Sequence, residues 1–159
     1  MIKDLFTNDL FLSCLVSGIV AQMIKYIIQA MKTRKIKLSP KYLLKSIFLE
    51  TGGMPSSHSS TVTALATSIL LTEGINTHFI IALAFALITI RDSFGVRYMA
   101  GVQAEYLNNL SEQLKMKIKI EPLKIKVVKG HKKKEVFTGI LIGIISAWAI
   151  CNRMLYRII

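Results

Sequence analysis

The stretch LFLSCLVSGIVAQMIKYIIQAM, residues 10–31, decides the architecture. About 20 consecutive apolar residues are needed to cross a bilayer squarely, and this run is long enough by itself. Gln22 and Lys25 interrupt it. Three further apolar segments follow at about 60–72 (STVTALATSILLT), 78–90 (HFIIALAFALITI) and 136–151 (VFTGILIGIISAWAIC). Each is short for a span unless its flanks extend it, the second back towards Ser57 and the third on towards Gly101. Four such segments in 159 residues predict an all-α fold, a small polytopic membrane helical bundle forming a single domain over 1–159. Cys14 and Cys151 both lie within apolar runs, which makes them packing residues rather than a disulfide framework or a zinc site. The start, MIKDLFTND, is mixed in charge and has no clean small-residue cleavage site after it, so it does not read as a cleavable signal.

The formal charge is +12. In a soluble protein that balance would point to nucleic acid, but here the cations sit between apolar runs, and aromatics make up only 8% of the chain. No nucleic acid is expected. Membrane lipids with anionic headgroups, and an anionic substrate, account for the charge better. The cations concentrate in two loops, about 32–50 and about 104–134, whereas the TEGINT link between segments two and three has no Lys or Arg. The positive-inside rule therefore puts both basic loops in the cytoplasm and both termini outside, with Arg153 and Arg157 opposing weakly. Within the second loop, MKIKIEPLKIKVV (116–128) alternates Lys with apolar residues, as a strand or as an amphipathic segment lying on headgroups would.

That topology brings three polar stretches to one membrane face: GGMPSSHSS (52–60), RDSFGVRYMAGVQAEYLN (91–108) and GHKKKEV (130–136). In the first, Pro55 suits the first turn of a helix and Ser56 or Ser57 its cap. Gly52 and Gly53 permit close backbone approach, and a helix N-terminus offers unpaired N–H groups to an anion. His58 is within reach for proton transfer; the plainer alternative is a capped helix start with an interfacial histidine. In the last stretch His131 and Glu135 are i and i+4, so a carboxylate can fix one ring nitrogen and leave the other basic. That is an oriented nucleophile or base, or else a surface histidine beside a salt-bridged glutamate. In the middle stretch Arg91 is a snorkelling anchor, while Asp92 with Arg97 suggests a fixed guanidinium able to bind phosphate. Gln103, Glu105 and Asn108 line the site or cap helices. Lys25 is either a phosphate ligand or a snorkelling residue. His78 belongs to the opposite side and to structure alone.

AQMIK (21–25), GGMPSSHSS (52–60), DSFGVRYMAGVQAEYLN (92–108) and GHKKKEVFTG (130–139) together resemble the divergent branch of the type 2 phosphatidic acid phosphatase family, relatives of acid phosphatases and vanadium-dependent haloperoxidases. The resemblance implies a phosphohistidine mechanism with no metal or cofactor. His131 would be the nucleophile, Glu135 its orienter and His58 the general acid. Lys25 and Arg97 would hold phosphate with Ser56, Ser57 and backbone N–H groups, around Gly53 and Asp92. The sequence departs from the wider family in several places. Ser57 replaces the glycine before the histidine, and Glu135 replaces an aspartate. Lys124 and Ile125 stand where a Ser-Arg pair is usual, and Thr33 follows Lys32 where an Arg-Pro motif is usual. The expected function is an integral phosphatase of the cell membrane, its site facing the cytoplasm. It would hydrolyse a lipid or isoprenoid phosphate monoester or diphosphate, or a small soluble phosphate. The alternative is a non-catalytic membrane protein that binds phosphorylated lipid or a protein partner. A homodimer that buries more surface is compatible with so small a bundle.

Overall fold

A computed structural model describes residues 2–33, 53–118, 121, 124–128 and 130–158. From residue 34 onward, the first basic loop lies outside the described residues, as does Gly52. The helices are α1 (Ile2–Thr7), α2 (Asp9–Thr33), α3 (Ser57–Glu73), α4 (Thr77–Phe94), α5 (Val96–Ile118) and α6 (Lys133–Ile158), with no strand among the described residues. The fold is the expected small all-α polytopic membrane bundle.

Three stretches are long and apolar enough to span a bilayer: Asp9–Met31, Thr77–Lys115 and Lys133–Asn152. The second apolar segment differs. It forms α3, which begins at Ser57, has only 17 residues and is rich in Ser and Thr. Instead of facing lipid, α3 is the axis of the bundle and packs on α2, α4 and α6. Several of its hydroxyls bond locally or across helices, while the buried Thr63 hydroxyl has no partner among the described residues. Ser68 donates to the Leu65 carbonyl at 3.0 Å, Thr72 to the Ser68 carbonyl at 2.9 Å, and the Ser17 and Ser60 hydroxyls bond each other.

The packing is inverted relative to a soluble bundle. Ala82 and Ala86 of α4 are buried, while Ile80, Ile81, Phe85, Leu87 and Ile88 of the same helix are exposed. Lipid tails solvate large aliphatic side chains, so helix association gains most from small residues that let backbones approach. Three rows at four-residue spacing supply them. Ser13, Ser17 and Ala21 lie on α2, Ser60, Ala64 and Ser68 on α3, and Gly139, Gly143 and Ala147 on α6. At Gly139 an added Cβ would sit 2.4 Å from the Ser56 carbonyl oxygen, and at Gly143 2.5 Å from that of Ser60. Only glycine permits that approach.

The second basic loop is partly helical, because α5 carries the chain to Ile118. Gly95 joins α4 to α5: its N–H donates to the Arg91 carbonyl at 2.9 Å, and a Cβ there would meet that oxygen at 2.7 Å. Residues 124–128 are neither helix nor strand. They run beside α5, where Asn108 pairs with both main-chain groups of Ile125, at 2.9 and 2.8 Å. Asn108 thus anchors the return chain and caps no helix.

Candidate functional site

The first turn of α6 builds the centre. Lys132, at its N-cap, offers no capping side chain, so the carboxylate of Glu135 reaches back and accepts the Lys132 N–H at 3.1 Å. This is the glutamate half of a capping box. The same oxygen, Oε2, lies 3.2 Å from Nδ1 of His131. A carboxylate only accepts, so Nδ1 carries the hydrogen and Nε2 holds a lone pair. His131 is 6% exposed, and its N–H donates to the Ser93 carbonyl at the end of α4, at 3.0 Å. Glu135 also ties in α3, because its carbonyl accepts the Ser56 N–H at 3.0 Å. Gln22 of α2 donates to the Ser57 hydroxyl at 3.1 Å. Four helices are thereby stitched at one end of the bundle.

At the mouth of α3, Ser56 is the N-cap, and its hydroxyl accepts from Ser59 N–H at 3.3 Å and from the Ser59 hydroxyl at 3.0 Å. Pro55 precedes the cap instead of opening the helix, and the Met54–Pro55 bond is cis. His58 stands in the first turn and is exposed. Its proton affinity is lowered by partial burial first, then by the positive charges of Arg97, His131 and Lys25. Those four residues come from four different parts of the chain, and the other three act on His58 because they share one end of the bundle.

Two glycines make the convergence possible. Gly53, at φ +90°, lets the Lys25 stem pass: a Cβ there would lie 3.1 Å from Lys25 Cε. Lys25 is 7% exposed, at the end of the small-residue row of α2, so it is a buried cation and not a snorkelling one. Gly130 lies so close to α5 that a Cβ would be 2.3 Å from Tyr98 N and 2.7 Å from the Arg97 carbonyl carbon. That contact sets the segment leading into His131 against the first turn of α5, where Arg97 sits. Arg97 directs Nε and an Nη2 hydrogen at Oδ2 of Asp92, at 3.2 and 2.8 Å. One edge of the guanidinium is held, and the remaining N–H donors are left for a second anion.

The expected residues therefore separate into two groups. His131, Glu135, His58, Lys25 and Arg97 converge. Ser56, by contrast, is wholly buried with its hydroxyl committed to the helix cap, which corrects the expectation that it contacts substrate. The Ser57 hydroxyl accepts from Gln22, Asp92 positions Arg97, and Gly53 makes room for Lys25. Glu105 lines a cleft beside Glu135. Lys124, at the usual serine position, is exposed, and Ile125 is held by its backbone alone. His78 bonds Glu73 at 2.8 Å beyond the other end of α3. Among the described residues, no three His, Cys, Asp or Glu side chains cluster as a metal site would require. Sequence reasoning missed Gly130 and Ser93 as the brackets of His131. The glycine before the histidine was visible, but its neighbour across the fold was not.

The chain is similar in sequence to known proteins along most of its length. Residues 6–146 match the profile described as the divergent PAP2 family. The chain is 39% identical over 154 residues to a protein of Bacillus subtilis (strain 168) described as uncharacterized membrane protein YuiD, with 89% of this chain and 93% of the relative covered. No solved structure matches.

Proposed function

We propose, since the chain belongs to the divergent PAP2 family, that it is an integral membrane phosphatase acting at the cytoplasmic face on a lipid or isoprenoid phosphate monoester or diphosphate. The observation that carries this reading is the His131–Glu135 pair with His58, Lys25 and Arg97 gathered round it. In the first step the Nε2 lone pair of His131 forms a bond to phosphorus, and the bond from phosphorus to the leaving oxygen breaks. His58, as imidazolium, gives that oxygen its proton. Glu135 stabilises the positive charge that the His131 ring acquires. In the second step water attacks phosphorus and gives a proton to the now neutral His58, and the N–P bond breaks to release phosphate. Lys25 and Arg97 offset the charge on the equatorial oxygens throughout. A site between helix ends at the membrane surface suits a substrate with an apolar tail and an anionic head.

Purified protein in detergent, given a lipid phosphate with chelator present, should release phosphate and form an acid-labile, alkali-stable phosphoprotein. His131→Ala should abolish both. His58→Ala should slow release by about 10²–10⁴-fold, the usual contribution of a general acid. Full turnover in either variant would remove the mechanism. The missing Ser-Arg pair, at Lys124 and Ile125, favours a second reading, a protein that binds phosphorylated lipid without turnover. Saturable binding with no phosphate release from any lipid phosphate would establish that reading instead.

A further inference from the structure

Beside the His131–Glu135 pair lies a cleft of about 260 Å³ between α5 and the segment that returns to α6. Tyr98, Val102 and Glu105 of α5 form one wall, and Val127, Lys132 and Glu135 line it on the other side. Glu135 is therefore shared: its carboxylate orients His131 and its side chain borders the cleft. Among the described residues Glu105 has no hydrogen-bond or ion-pair partner, and it is exposed. The cations Lys25 and Arg97 do not line this space.

Resting on the phosphatase reading, we propose that this cleft holds the first carbons of the leaving group. Glu105 would select a substrate bearing a hydroxyl or ammonium close to the phosphate ester. Charge separates the two halves of the site. Among the described residues the two carboxylates outnumber Lys132, the one cation that lines the cleft, so a phosphate is better held by Lys25, Arg97 and His58. The cleft suits the neutral or cationic part of the molecule. A carboxylate accepts hydrogen bonds and donates none, so a hydroxyl or an ammonium is the group it would bind. The volume lies below the usual ligand-pocket range of about 300–1,000 Å³. It is room enough for a short polar arm. The selected class is a lipid phosphate with a free hydroxyl or amine next to the ester, in preference to a fully acylated or an isoprenoid one. Glu105 is a specificity residue that touches substrate away from the reacting atoms.

The test compares three phosphate monoesters on the full chain in detergent: lauroyl lysophosphatidate, dodecyl phosphate and glycerol 3-phosphate. Phosphate release and thermal stabilisation by each compound are both recorded. A charge-assisted hydrogen bond predicts about tenfold higher kcat/KM for the lysolipid than for dodecyl phosphate, carried by KM. In Glu105→Leu that ratio should fall to about one. Glu105→Gln keeps an acceptor and should retain part of the preference for the hydroxyl. Glycerol 3-phosphate preferred as strongly as the lysolipid would assign the cleft to a soluble phosphate, whereas a dependence on the acyl chain assigns it to a lipid. An unchanged ratio in Glu105→Leu, or no preference in the wild type, overturns the proposal. No phosphate release from any compound, with stabilisation still favouring the lysolipid through Glu105, would sink the phosphatase and leave the cleft. Equal stabilisation by all three would sink the cleft.

Discussion

His58 shows how far neighbours set the chemistry of a residue. Partial burial and then the charges of Arg97, His131 and Lys25 disfavour its imidazolium, so it loses its proton below the usual histidine value of 6.5. A general acid must be protonated, and kcat/KM reports the free enzyme. A falling limb in kcat/KM as pH rises, centred below pH 6.5, is therefore expected. A bound phosphate dianion opposes the same positive charges, so the limb in kcat should lie at higher pH. Removing one cation, in Arg97→Gln, should move the kcat/KM limb upward. A limb well above 6.5 in the wild type would exclude His58 as the acid. Glu135→Gln tests the partner of His131. It keeps an acceptor for the ring N–H but loses the charge, so turnover should fall more than binding, read as lower kcat with little change in KM. The nearness of His131 to Glu135 was legible in the sequence from their four-residue spacing, although His131 precedes α6 and the contact is made by Glu135 reaching back to the helix cap. The commitment of the Ser56 hydroxyl to a cap was not, because a Pro-Ser-Ser run offers two caps and only the backbone selects one.

Among the elements, α3 and α6 hold the site together, and glycine makes their contact. Val at position 139 or 143 would force a side chain against a backbone oxygen that an added Cβ alone already meets at 2.4 or 2.5 Å. Each substitution should cost about 1–3 kcal/mol, as overpacking does. That corresponds to several degrees in thermal unfolding in detergent. Ser17→Ala removes the hydroxyl that bonds Ser60 across α2 and α3 and should cost less, about 0.6 kcal/mol. Equal melting temperatures for Gly143→Val and wild type would mean that the helices do not touch there. That α2 spans follows from apolar length alone, whereas α4 and α6 reach that length only with their flanks. The central place of α3 does not follow from length: a Ser- and Thr-rich helix of 17 residues scores poorly as a span. The signal was the row of small residues at four-residue spacing, repeated on three helices, which marks faces that pack on one another.

For the whole molecule the decisive property is sidedness. His58, Arg97 and His131 share one end of the bundle, and Glu73 with His78 marks the other end of α3. In a background lacking Cys14 and Cys151, single cysteines at the exposed positions 58, 97 and 134 should react with an impermeant thiol reagent from the same side of intact membranes, and a cysteine at 75 from the other. Positions 58 and 134 labelled from opposite sides would make a shared phosphate impossible, because 134 lies in the first turn of α6, beside the buried His131. The sequence by itself determined that this chain is a helical membrane protein with basic segments flanking its apolar runs, because length and hydropathy act locally and need no partner. It also put His131 near Glu135, since only four residues part them, although the contact itself depends on Glu135 reaching back to cap α6. Only the tertiary structure decided which cations meet the histidines, which hydroxyls are used up in capping, and that a carboxylate faces a cleft beside the nucleophile. Those depend on how closely α3 packs on α6 and the segment before α6 packs on α5, distances set by glycines whose neighbours lie up to about eighty residues away along the chain.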